Sequence, residues 1–144
     1  MEQKPEGQKY RKITGEDAPR KEKSYKPKAY YKASKLLLQI ERSTHKVSSN
    51  LKGTKVRDME CTVFEIMRYT SFAYEDKEDY EKTLRFLTAS IEALENVMLS
   101  ARILLDLGKI KSTGYGEITK LEGNLLSQLT AWRNATIKRI ENRK

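Results

Sequence analysis

This 144-residue sequence predicts an all-α fold, an antiparallel up-down-up-down four-helix bundle carrying a disordered basic N-terminal arm. Three observations support it. All three prolines (Pro5, Pro19, Pro27) lie in the first 27 residues, so nothing after Lys28 forces a helix to break. Glycine is sparse until Gly108, which favours long helices. Four stretches then place their apolar residues at steps of three and four, the spacing that gathers side chains on one helical face.

Residues 1–27 hold eight Lys or Arg, five Asp or Glu and almost no aliphatic side chains. Such a segment cannot bury enough apolar area to offset its ordering entropy, and it reads as an arm. The bundle is expected over 28–144, with helices at about 28–48, 54–74, 79–107 and 113–142. In the first, Tyr30, Ala33, Leu37, Ile40, Thr44 and Val47 form the apolar stripe. Asn50 to Gly53 is a polar turn, and Thr54 is placed to cap the second helix. Its stripe is Val56, Met59, Val63, Ile66, Thr70 and Ala73. Asp79 suits the N-cap of the third helix, where the acidic run Glu75 to Asp79 also opposes the positive end of the helix dipole.

The third stripe is Tyr80, Leu84, Leu87, Ile91, Leu94, Met98, Ala101 and Leu105, and Gly108 follows it as a C′ glycine. Ser112 or Thr113 is expected to cap the fourth helix. Its stripe is Tyr115, Ile118, Leu125, Leu129, Trp132 and Ile140, interrupted by Glu122 and Thr136. Short connections between such helices imply antiparallel neighbours.

Composition narrows the function classes. No apolar run approaches the roughly 18 residues of a membrane span, and no apolar segment follows the charged N-terminus as in a signal peptide. A cytoplasmic, non-membrane protein is expected. One Cys and one His cannot build a four-ligand zinc site or a pair of Glu-x-x-His motifs, so no metal or other cofactor is expected. A His45–Cys61 nucleophile–base pair has no orienting third group, and Cys61 is expected to be semi-buried. Gly114-Tyr115-Gly116 has no preceding strand and is no phosphate loop. The acidic run lacks calcium-loop spacing. No catalytic residue is assigned and the chain is read as a non-enzyme.

The net charge of +9 is distributed by helix. Residues 28–57 carry eight Lys or Arg against Glu41 alone, a net +7. Residues 58–107 carry eleven acidic and five basic residues, a net −6, and residues 108–144 return to +5. In an antiparallel bundle the basic first and fourth helices are neighbours, and their positive faces merge. Lys28, Lys32, Lys35, Arg42 and Lys46 step by three, four and seven, roughly 160–200° from the apolar stripe. Lys52, Lys55 and Arg57 extend this ridge, and Arg133, Lys138, Arg139, Arg143 and Lys144 add charge from the fourth helix. A ridge of this kind neutralises phosphates and releases their counterions, so RNA or DNA is the expected partner. The tyrosines Tyr10, Tyr25, Tyr30 and Tyr31 interleave with lysine near the arm, and Trp132 is assigned to the core. The alternative is a helical interaction scaffold. In it the acidic second and third helices dock a protein, and the lysines only confer solubility.

The run Arg102-Ile103-Leu104-Leu105-Asp106-Leu107-Gly108, the following turn with Tyr115, and Leu129-Thr130-Ala131-Trp132 carry a resemblance. Over roughly 28–142 the chain resembles the four-helix-bundle superfamily of ribosomal-RNA intervening-sequence proteins and of the accessory variability determinant of diversity-generating retroelements. It resembles the retroelement branch more closely. Thr130-Ala131 stands where that branch tends to carry Gly-Gly, and Asn96 to Met98 stands where the other tends to carry an acidic pair. The resemblance implies a non-enzymatic homopentamer with a basic surface. It also implies binding to nucleic acid and to a reverse transcriptase that copies template RNA into mutagenised cDNA.

Overall fold

The structure, a computed structural model, describes residues 26–47, 52–76 and 78–143. The arm through Tyr25, the centre of the first connection, Lys77 and Lys144 lie outside the described residues. Four helices form: α1 (Lys28–Thr44), α2 (Arg57–Glu75), α3 (Tyr80–Asp106) and α4 (Ser112–Arg143). A π-helical turn, Lys52–Val56, leads into α2. Each helix packs on its neighbours in the chain, and α1 also packs on α4, which closes the ring of a four-helix bundle. No strand occurs among the described residues.

The helix ends show where local chemistry decided the boundary. Asp79 caps α3, its side chain accepting from the Lys82 amide at 3.1 Å, as the sequence suggests. Gly108 ends α3 at φ +71, with its amide donating to Leu105 O at 2.9 Å and the Lys109 amide to Leu104 O at 2.8 Å. That is the Schellman arrangement, and it needs the left-handed backbone glycine tolerates.

Three expected boundaries move. Helix α1 stops at Thr44 rather than about 48. Thr44 Oγ1 donates to Ile40 O at 2.7 Å, and His45 Nδ1 lies 2.9 Å from Arg42 O. Thr54 does not cap α2. It sits inside the π-helical turn, and Val56 after it already has helical φ −70 and ψ −40. Ser112 and Thr113 do not cap α4 but form its first turn, with the Tyr115 amide donating to Lys111 O at 2.9 Å.

The core registers follow from packing. In α2 the expected stripe is the buried one throughout. In α1 and α3 the buried line rotates by about one residue. Leu36 replaces Leu37, and Thr83, Ser90, Val97 and Leu104 replace Leu84, Ile91, Met98 and Leu105, which are half-buried. Each of these helices touches two neighbours, so it buries a face wider than one stripe.

Buried hydroxyls do not interrupt this core. Thr70, Ser90 and Thr136 each donate to the carbonyl four residues back, at 2.8–2.9 Å. Glu122 is different. It occupies the core line of α4 between Ile118 and Leu125 at 1 % exposure, and neither carboxylate oxygen has a hydrogen-bond partner among the described residues. Glu122 and Thr136, which break the apolar pattern in the sequence, are therefore core positions.

Desolvation raises the Glu122 carboxyl from 4.5 to about 7. The unfolded chain releases this proton near pH 4.5 and the folded chain holds it to about pH 7. Stability is thus highest below the lower value and is lost as pH rises to the upper one, by on the order of 3 kcal/mol. Glu122→Leu should remove that loss. In chemical denaturation the variant should exceed the wild type most at about pH 8 and progressively less on acidification. A gap independent of pH would refute buried ionisation at this position.

Candidate nucleic-acid interface

The α1–α4 contact determines where the cations lie. Gly114 in the first turn of α4 approaches Ser43 near the end of α1, and a Cβ at 114 would stand 3.0 Å from Ser43 Oγ. Glycine lets the two basic helices close at this point. From there they run antiparallel, so Lys28 at the start of α1 falls roughly level with Leu129, at ~1.5 Å per residue on both helices.

Most of the expected ridge is presented to solvent. Lys28, Lys35, Arg42, Lys46, Lys55, Arg57, Lys138 and Arg139 are exposed. Lys32 is half-buried, and the side chain of Lys52 lies outside the described residues. Arg133 departs from the expectation: it is half-buried, with a buried Nε that has no partner among the described residues. Arg143 is engaged elsewhere. It pairs with Glu81 at the start of α3 and lies 5.5 Å from the Tyr80 ring centroid, and this hydrogen bond pulls the Glu81 carboxyl below its ordinary value. The ion pairs among described residues are Arg68–Glu65, Lys82–Asp76, Arg102–Asp106 and Arg143–Glu81. None involves a cation of the ridge, so its charge is not neutralised by these carboxylates. The outer face of α1 is not purely polar, because Tyr31 and Leu38 are exposed among the lysines.

Two clefts open at opposite ends of this wall. The first, about 410 Å³, forms where the end of α1 meets the α3–α4 connection. Arg42, His45, Lys46, Lys109 and Lys111 line it, with no carboxylate. The first turn of α4 beside it also lacks an acidic residue, so the helix dipole adds to the positive potential. Lys109 and Lys111 are not part of the sequence-derived ridge. Up-down topology was the available signal, since it puts the third connection beside the end of the first helix.

The second cleft, about 320 Å³, lies where α1 begins, and Trp132 lines it. Trp132 is half-buried: it packs against the core on one side and meets the cleft on the other. The core assignment is thus half of its environment.

The residues that carry the family resemblance fall in two places. Arg102 pairs with Asp106 at 3.0 Å near the end of α3, and the neighbouring Tyr115 hydroxyl and Asp106 carboxylate raise its pKa. Trp132 sits toward the other end. His45, just past α1, and Cys61, on α2, are both exposed, with no hydrogen bond between them. Among the described residues no three His, Cys, Asp or Glu side chains converge as metal ligands, and no helix is long and apolar enough to cross a membrane. Neither family models nor curated proteins match this chain.

Cys61 corrects the expectation of a semi-buried thiol, because its face of α2 points away from the neighbouring helices. In native protein it should react with a disulfide reagent within a few-fold of the rate seen after denaturation. Strong native protection would contradict its placement.

Proposed function

We propose that this chain is a non-catalytic nucleic-acid-binding accessory subunit. Its partners in that reading are a reverse transcriptase and template RNA, in a diversity-generating retroelement. One observation supports nucleic-acid binding above the others. Two basic helices pack side by side, and of their exposed cations only Arg143 has a carboxylate partner among the described residues. Phosphates would replace water and counterions along this wall, an interaction that positions a strand without reading its sequence. Sequence choice then falls to the shape of the RNA or to the reverse transcriptase. The retroelement assignment and a homopentameric assembly rest on the resemblance in Arg102 to Gly108 and around Trp132.

A second reading draws on a different surface. Leu99, Ile103 and Leu107 repeat every fourth residue on α3 at 60, 47 and 60 % exposure, an apolar stripe that suits a protein partner. In this scaffold reading the basic wall only keeps the chain soluble.

Filter binding against salt separates the two. Under the first reading, log affinity for single-stranded RNA falls linearly with log salt, with a slope of about −3 if four phosphates are contacted. Lys35→Glu combined with Arg42→Glu should abolish that binding while circular dichroism stays unchanged. A salt-independent affinity, or full binding by the double variant, would remove the nucleic-acid reading. Under the scaffold reading the same variant keeps its protein partner, and Ile103→Asp loses it.

A further inference from the structure

We propose that the cleft at the start of α1 is a stacking pocket for an unpaired base of a single-stranded nucleic acid. This proposal rests on the nucleic-acid reading above and adds a site that the ridge of lysines does not describe.

The cleft exists because two helices differ in length. Helix α1 has 17 residues and begins immediately after Pro27, which supplies its N-cap position, whereas α4 has 32. Past the level of Lys28, α4 continues along α3 beyond the first residue of α1. Among the described residues the groove at this end is lined by Trp132, Thr136 and Arg139 of α4, Ala73 and Tyr74 of α2, and Tyr80 and Thr83 of α3. Its volume of about 320 Å³ is that of a small-molecule site.

The lining fits a base inside a charged strand. Trp132, Tyr74 and Tyr80 all line the cleft. Aromatic surface stacks on any base, because every base has a π-face. The Gln128 amide, also in the lining, can both donate to and accept from a base edge. The threonines are already committed: Thr83 Oγ1 donates to Ala73 O at 3.3 Å and Thr136 Oγ1 to Trp132 O at 2.9 Å. Lys26, Lys28 and Arg139 stand at the rim, and no carboxylate lines it. A bare aromatic slot would accept many apolar ligands. Cations at the rim, continuous with the wall on α1 and α4, favour a ring attached to phosphates on both sides. Duplex nucleic acid keeps its bases stacked internally and can reach the rim but not the slot.

Trp132 is the single tryptophan of the chain, so it reports on this cleft alone. The full chain is titrated at one fixed low salt concentration with a single-stranded oligoribonucleotide, an abasic oligonucleotide of equal length, a duplex and a nucleoside monophosphate. The base-bearing single strand should quench and shift Trp132 emission, whereas the abasic strand and the duplex bind without doing so. Trp132→Leu, measured with a labelled oligonucleotide, should weaken single-strand binding roughly tenfold and leave duplex binding unchanged.

Equal quenching by the abasic strand would overturn the proposal, as would single-strand binding with no change in Trp132 emission. In both cases the backbone reading of the basic wall survives. Saturation by the monophosphate at oligonucleotide concentrations would assign the cleft to a free nucleotide and overturn the strand proposal. Absence of binding to every polyanion takes the wall and the pocket together.

Discussion

The contact between the first and last helices is the constraint on which the surface of this molecule depends. A chain of four antiparallel helices can lie in an open row or close into a ring, and only the ring makes α1 and α4 neighbours. Closure requires the backbones to come near each other where Gly114 faces Ser43. It also requires the thin, apolar face of α1, with Ala29, Ala33, Leu36 and Ile40, to be buried among the other helices. Once that face is inward, Lys28, Lys35 and Arg42 on its back are exposed.

The two ends of the basic wall differ in chemistry because the helices end differently. At one end α1 stops where Thr44 and His45 occupy its last carbonyls, and the α3–α4 connection brings Lys109 and Lys111 alongside. The result is a cleft of cations. At the other end α1 starts late and α4 runs on, and among the described residues side chains of α2, α3 and α4 line a cleft there. The result is an aromatic cleft with cations at its rim. One surface therefore combines a row of exposed cations with an aromatic cleft at one end.

The interior is conventional except at Glu122. Thr70, Ser90 and Thr136 satisfy their hydroxyls within their own helices and Thr83 bonds across to α2, which makes threonine and serine tolerable in the core. A carboxyl cannot do so, and it keeps a proton that water would remove. The bundle accepts that cost in the middle of its longest helix, where the leucines and isoleucines on both sides still bury fully.

Helix number, helix type, the α2 stripe, the Asp79 cap and the Gly108 stop were all legible in the sequence. Each depends on residues within one or two turns of one another, which is the range of backbone hydrogen bonds and of the 3.6-residue period. The basic ridge was legible for the same reason, as a periodic pattern on one helix. Burial of Glu122, the half-exposed setting of Trp132, the withdrawal of Arg133 and the capture of Arg143 by Glu81 were not. Those outcomes depend on which helix lies across from which and on how far each one runs. A residue's own neighbours in the chain carry no information about a partner sixty residues away, so only the tertiary packing could decide them.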